Sequence, residues 1–146
     1  GGYLYQQKDS LYGGINNLKI VTEREPTDDE YTSMDLGWKL VRQVKSNAIV
    51  LADNIQLLGI GAGQMSRIDS VKIAIQKVTD SGLNLHGSIM ASDAFFPFPD
   101  CVELAAKAGI TAVIQPGGSI KDDTVIAQAN KLGIAMALTG IRHFLH

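Results

Sequence analysis

The chain has 146 residues, of which 45% are hydrophobic and 19% charged, with 15 glycines and a net charge of −2. That length suits one compact domain burying roughly 68 to 70% of the surface its unfolded form exposes, and the composition excludes a disordered or collagen-like chain. No apolar run reaches the roughly 18 residues a membrane helix needs, no signal peptide opens the sequence, and the lone Cys101 makes no internal disulfide, so a soluble protein of the reducing cytoplasm is expected.

Seven acids and three bases fall in residues 1–35, against eight acids and ten bases in the rest. The positive balance of the larger part mildly favours small anions and is too weak for a nucleic-acid surface. Only His86, His143 and His146 accompany the single cysteine, so no zinc-ligand spacing exists.

Residues 1–35 combine a short alternation (Tyr3, Leu4, Tyr5) with a polar stretch from Thr22 to Glu30, which reads as a connecting arm. From Leu36 to Lys45, the spacing of Leu36, Leu40 and Val44 predicts a helix; Ala48 to Ala52 and Leu57 to Ile60 predict two strands joined by a turn at Asp53-Asn54. Three further helices are predicted, each opened by a capping box and closed by glycine: Ser66-x-x-Asp69 to Gly82, Asp100-x-x-Glu103 to Gly109, and Ser119-x-x-Asp122 to Gly133. Apolar stripes run through the first (Ile68, Val71, Ile75, Val78) and last (Val125, Ala129, Leu132) of these. After each glycine comes a short apolar run (Ser88 to Ala91, Thr111 to Ile114, Ile134 to Leu138) of the kind that forms buried parallel strands. The order αββαβαβαβ predicts an α/β fold with three layers and a mixed, mostly parallel sheet: an initial hairpin, then right-handed crossovers. Residues 36–146 form the folded unit. This order resembles the cytidine-deaminase-like fold, without the His-x-Glu and Cys-x-x-Cys zinc signature of the deaminases.

Ligands of open α/β sheets bind beyond the carboxyl ends of the parallel strands. The segments leaving those ends are Ser92 to Asp100, Gln115 to Ser119 and Thr139 to His146, expected to converge on one edge. The first places Phe95, Phe96 and Phe98 in a loop with Pro97 and Pro99. Those rings either pack on a flat aromatic ligand or fold back as core or against another subunit. Asp100 reads as the N-cap of the next helix.

Gly59-x-Gly61-x-Gly63 lacks the spacing of a dinucleotide fingerprint and reads as a glycine-rich turn. Gln64 to Ile68 brings backbone N–H groups, Ser66 and Arg67 to a helix start, a natural anion site; capping explains Ser66 but not Arg67. Arg142, flanked by His143 and His146, suits a phosphate or carboxylate, the alternative being a solvated basic tail. Asn47, in Lys45-Ser46-Asn47, is a helix terminator or an amide that holds a substrate.

Five separated motifs resemble the AICAR transformylase domain of the bifunctional purine biosynthesis enzymes, whose other activity is IMP cyclohydrolase. They are Lys45-Ser-Asn-Ala-Ile-Val50, Gly59-Ile-Gly-Ala-Gly-Gln-Met-Ser-Arg67, Ser92-Asp-Ala-Phe-Phe-Pro-Phe98, Gln115-Pro-Gly-Gly-Ser119 and Gly140-Ile-Arg-His-Phe144. Over residues 34–146 the register is that of the family's C-terminal half. The resemblance implies formyl transfer from the co-substrate 10-formyltetrahydrofolate to the 5-amino group of AICAR. Asn47 would orient amine and formyl group, and Phe95, Phe96, Arg142 and His146 would join it around AICAR, with Arg142 on the phosphate. Arg67, Ile68, Pro97, Phe98 and Asp100 would border the folate.

The family pattern leaves room for an alkali cation near Asp93. Pro99 stands where the family usually has arginine after Phe-Pro-Phe, and no Lys-His dipeptide, the family's proton-transfer pair, occurs in this sequence. The resemblance therefore implies a fragment incomplete without the first half of the transformylase, the cyclohydrolase domain and a second copy in a homodimer. The alternative is an assembly module whose aromatic loop and arm form a subunit interface.

Overall fold

The structure, a computed structural model, describes residues 2, 3, 5, 6 and 15–146. Leu4, part of the short alternation, lies outside these residues; Tyr3 and Tyr5 are exposed.

After a 3-10 turn at Ile15–Asn17, the elements are β1 (Lys19–Ile20), α1 (Asp28–Val41), β2 (Ile49–Ala52), β3 (Leu57–Gly61), α2 (Arg67–Asp80), β4 (Ile89–Ser92), α3 (Asp100–Lys107), β5 (Ala112–Gln115), α4 (Asp122–Lys131) and β6 (Ala135–Leu138). The six strands form one sheet in the order β1-β6-β5-β4-β2-β3. Among the described residues β4/β5 and β5/β6 pair in parallel and β1/β6, β4/β2 and β2/β3 are antiparallel, so the expected mostly parallel sheet is corrected to a mixed one with three antiparallel pairings to two parallel. Short apolar runs look alike in either orientation, and antiparallel pairing of β4 with β2 follows from the hairpin that puts β2 between β3 and β4.

Residues of alternating parity on the strands face two cores. Met34, Trp38 and Val41 of α1 pack with Val50, Ile89, Ile114 and Ala137 on one face. Val71 and Val78 of α2, Val102 of α3 and Val125 of α4 pack with Leu51, Met90, Val113 and Met136 on the other. Leu132, included in the α4 stripe, is partly exposed at the helix end.

The first helix starts well before Leu36. Thr27 accepts from the Glu30 N–H, and the Glu30 carboxylate accepts from the Thr27 N–H, a full capping box that opens α1 inside the stretch read as connecting arm. Its deepest residues are Met34, Trp38 and Val41, with Leu36, Leu40 and Val44 only flanking them. The arm is docked further back too: β1 pairs with β6, the Thr22 hydroxyl accepts from the Met136 N–H at 2.8 Å, and Arg24 Nε donates to the Gly133 carbonyl at 2.8 Å.

Glu30 ties arm to sheet. It accepts from Arg24 Nη1 and Nη2, each at 2.9 Å, and from the Thr111 hydroxyl at 2.6 Å. Burial pulls its pKa up, but hydrogen bonds from Arg24, Thr111 and Thr27, with the Arg24 charge, outweigh that and hold the carboxyl below its ordinary 4.5. A depressed native pKa contributes stability that is fully present above the unfolded-state value and is lost as pH falls through the native one. Glu30→Gln is therefore expected to cost about 1.5 to 3 kcal/mol at neutral pH. In thermal melts followed across pH, the gap between variant and parent should narrow as the pH falls below the ordinary 4.5 and through the lowered native value.

α2, α3 and α4 each end on a glycine in the left-handed region, Gly82, Gly109 and Gly133, as their sequences predict. The capping boxes are less uniform. Ser66 caps α2 by accepting from the Asp69 N–H. Asp100 is the first residue inside α3 rather than its N-cap, a place taken by Pro99 without a side-chain bond, and the Asp100 carboxylate accepts from the Cys101 N–H. Ser119 caps the Lys121 N–H in the preceding turn, and α4 starts only at Asp122.

Candidate functional site

The carboxyl ends of β3 and β4 and the amino end of β2 meet at one edge, where Ile49 pairs with both Gly61 and Ser92. Beyond it opens a cavity of about 520 Å³ lined by Asn47, Met65, Ser66, Arg67, Ile68, Ala94, Phe95, Pro97, Phe98, Asp100, Cys101, Arg142 and Phe144. Three stretches supply it: the loop before β2, the start of α2, and the segment from β4 to α3. The C-terminal tail adds Arg142 and Phe144 by running back across the sheet edge, where the His143 N–H donates to the Asp93 carbonyl at 2.9 Å.

The glycine run before α2 is strand, not turn, over its first two members. A Cβ on Gly59 would lie 2.7 Å from the Ala74 carbonyl oxygen, and one on Gly61 would lie 1.8 Å from that of Ser70. These glycines let β3 press against α2 and so set where the Ser66–Ile68 start of α2 emerges. Gly63 alone makes the turn, with a φ of 68°.

Behind the cavity lies a buried polar cluster. Asp93 is fully buried and pairs with Arg67 Nη1, which also donates to Ser92 Oγ at 3.0 Å. The Asp93 carboxylate also accepts from the Ser46 hydroxyl and from the Ala48 N–H. Arg67 Nη2 donates to Asn47 Oδ1 at 2.7 Å, and Asn47 Nδ2 donates to the Gln64 carbonyl at 2.9 Å. The Ser46–Asn47 peptide is cis. An amide has two acceptor and two donor sites, so Asn47 keeps one of each for a ligand. Arg67, with its guanidinium bound to Asp93, Ser92 and Asn47, orients the amide instead of lying open to solvent.

Arg142 is placed differently. Its guanidinium carbon lies 3.7 Å from the centroid of the Phe144 ring and 5.9 Å from that of Phe95. Among the described residues no carboxylate pairs with it. The wall opposite is apolar and its rim exposed, with Phe98 59% and Met65 102% accessible.

Eight expected site residues come together here: Asn47, Arg67, Ile68, Phe95, Pro97, Phe98, Asp100 and Arg142. Phe96 and His146 do not. Phe96 is fully buried in the core beneath α2 and α3, as its neighbours on either side turn toward the cavity. His146 lies at the tail end, its ring 5.6 Å from Phe144. The Gln115–Ser119 loop leaves the same edge but turns away, the Gly118 N–H donating to Asp122 of α4.

Met65, Cys101 and Phe144 line the cavity without having been singled out. Phe144 follows Arg142 by two, the spacing that puts side chains on one face of an extended segment. Burial, then the neighbouring Asp100 charge, push the Cys101 thiol far above its usual pKa, so it lines the wall as a neutral group. Among the described residues no three His, Cys, Asp or Glu side chains gather as a metal centre needs, and no helix is long and apolar enough to cross a membrane.

A mixed sheet with helices on both faces and a ligand-sized cavity at the strand ends defines an α/β protein. One solved structure of similar fold is the dCMP deaminase from the cyanophage S-TIM5 in apo form, 20% identical, matched over 71% of this chain and 91% of that one with a TM-score of 0.50. That likeness concerns the fold alone.

The chain belongs to the AICARFT/IMPCHase bienzyme family, whose pattern matches residues 1–77. It is 53% identical over all 146 residues to the bifunctional purine biosynthesis protein PurH of Aquifex aeolicus (strain VF5), and 55% identical to that of Bacillus thuringiensis (strain Al Hakam). It spans 28% of the length of each of these relatives. The family match lies in residues 1–77 and does not carry the expectation of a C-terminal half; what holds is the coarser statement, a segment of a bifunctional purine biosynthesis protein.

Proposed function

We propose that this chain forms part of the substrate site of an AICAR transformylase, acting on AICAR and 10-formyltetrahydrofolate within the longer protein. The observation that carries the reading is Arg142: a guanidinium with no carboxylate partner among the described residues, stacked on Phe144, at a cavity whose other walls are largely apolar. A planar cation at the mouth of an apolar slot suits a flat heterocycle with an anionic substituent. Arg142 takes the ribose phosphate, and Phe95 and Phe98 sandwich flat rings. Asn47, fixed by Arg67 and the Gln64 carbonyl, presents its remaining donor and acceptor to the amine and formyl group.

In the reaction the amine nitrogen of AICAR forms a bond to the formyl carbon as the bond from that carbon to N10 of the folate breaks, and the proton lost by the amine passes to N10. With no Lys-His dipeptide in this sequence, that proton transfer falls to the rest of the enzyme. An alkali cation near Asp93 would use the hard oxygens gathered there: the Asp93 carboxylate, the Ser46 hydroxyl and the Leu145 carbonyl that accepts from the Ser46 N–H. The active form is a homodimer in the cytoplasm.

In the full-length protein, Arg142→Ala is expected to weaken AICAR binding by about 1.5 to 3 kcal/mol, roughly 10- to 150-fold. Titration calorimetry reads this directly, and an unchanged dissociation constant removes Arg142 from the phosphate site.

The exposure of Phe98 and Met65 favours a second reading, that the rim is a subunit interface. Sedimentation separates the two: association independent of AICAR and folate supports the interface, and ligand binding without change of mass supports the substrate site.

A further inference from the structure

The tail that carries Arg142 and Phe144 is held from two sides. On one side the Ser46 N–H donates to the Leu145 carbonyl at 2.9 Å, the Leu145 N–H donates to Ser46 Oγ at 3.2 Å, and the His143 N–H donates to the Asp93 carbonyl. On the other side stands a single residue from the opposite end of the chain. Gln6 Nε2 donates to the Phe144 carbonyl, and Gln6 Oε1 accepts from the His146 N–H at 2.9 Å. Backbone groups of 143 and 145 thus face Asp93 and Ser46, and those of 144 and 146 face Gln6, the alternation of an extended segment.

The same alternation puts the side chains of Arg142, Phe144 and His146 in a row: guanidinium on phenyl ring, phenyl ring beside imidazole. The Gln6 carboxamide bonds the backbone of the second and third members of that row. A neutral amide offers one donor and one acceptor in a single plane, which is what a C=O at one residue and an N–H two residues later require. No other side chain among the described residues binds those two groups.

We propose that Gln6 is a positioning residue: by clamping the backbone at Phe144 and His146 it holds the Phe144 ring beneath Arg142 and aims the guanidinium into the cavity. The proposal rests on the reading of Arg142 as the phosphate-binding group. Gln6 itself does not line the cavity.

The test is steady-state kinetics of the full-length protein with Gln6→Ala, Gln6→Glu and Arg142→Ala. Gln6→Ala removes both bonds; Gln6→Glu keeps length and acceptor but sets a carboxylate against the Phe144 carbonyl. Each is expected to raise the KM for AICAR roughly three- to tenfold, leaving kcat, the KM for 10-formyltetrahydrofolate and the melting midpoint as they were. A KM for AICAR unchanged in Gln6→Ala while Arg142→Ala raises it overturns the clamp alone. Changes in both KM values together with a lower midpoint also overturn it, since they mark a general structural role. If Arg142→Ala leaves AICAR kinetics unchanged, the phosphate reading falls and takes the clamp with it.

Discussion

Gly61→Ala is expected to unfold or severely loosen this domain. The added Cβ would sit 1.8 Å from the Ser70 carbonyl oxygen and 2.5 Å from its carbon, both backbone atoms of α2. No side-chain rotation relieves such a contact, so helix and strand must part along the seam that places Ser66 and Arg67 at the cavity. Overpacking usually costs 1 to 3 kcal/mol where flexible side chains can yield; here backbone meets backbone, and a loss above about 3 kcal/mol is expected, on the order of 10 °C in the melting midpoint. Gly82→Ala is the control. It sits at φ 66° with nothing within 4 Å of a new Cβ, so its cost is conformational only, roughly 1 to 2 kcal/mol. Comparable midpoints for the two variants would show that β3 and α2 are not locked by contact.

The second large effect is expected at Asp93. Asp93→Ala leaves the Arg67 guanidinium, only 7% accessible, without its counter-charge and strips acceptors from the Ser46 hydroxyl and the Ala48 N–H. Removing one partner of a buried pair costs about 3 to 5 kcal/mol, whereas replacing both by apolar groups of similar volume is often far cheaper. The double variant Asp93→Leu with Arg67→Met is therefore expected to be more stable in urea than Asp93→Ala. Additive losses would mean that Arg67 and Asp93 act on separate neighbours. The double variant should still lose ligand binding, since Asn47 then lacks the donor that orients its amide.

Much of this organisation is legible in the sequence where local rules coincide with tertiary ones. Ser66 caps a helix, glycines end three of them, and the short apolar runs after those glycines are strands, because each signal is set by backbone geometry within a few residues. Thr27 and Glu30 carry the same signature as Ser66 and Asp69, yet sit in a run of polar residues that masks the helix start; Glu30 is buried only because Arg24, six residues before it, neutralises it and Thr111, distant in sequence, bonds it. β1 is two residues long, too short for any periodicity to reveal. The aromatic loop shows the limit at the site itself. With no regular repeat between Phe95 and Phe98, nothing local says that Phe96 enters the core and its neighbours face the cavity. Gln6 escapes for the opposite reason: its partners lie 138 and 140 residues away.

The pairing of β1 with β6 bears on how the domain comes together. Lys19 and Ile20 meet Leu138 and Ala137, so one of the two edge strands of the sheet is the earliest of the six to be synthesised and must wait for the last. Until β6 arrives, the free backbone groups of β5 lie open to any other strand in the cell, the hazard that unfinished sheet edges share. Closing so long a loop is also slow relative to forming the local helices and the β2–β3 hairpin. The arm is thus a late seal, and a nascent chain stalled short of Ala135 would be the species most prone to aggregate.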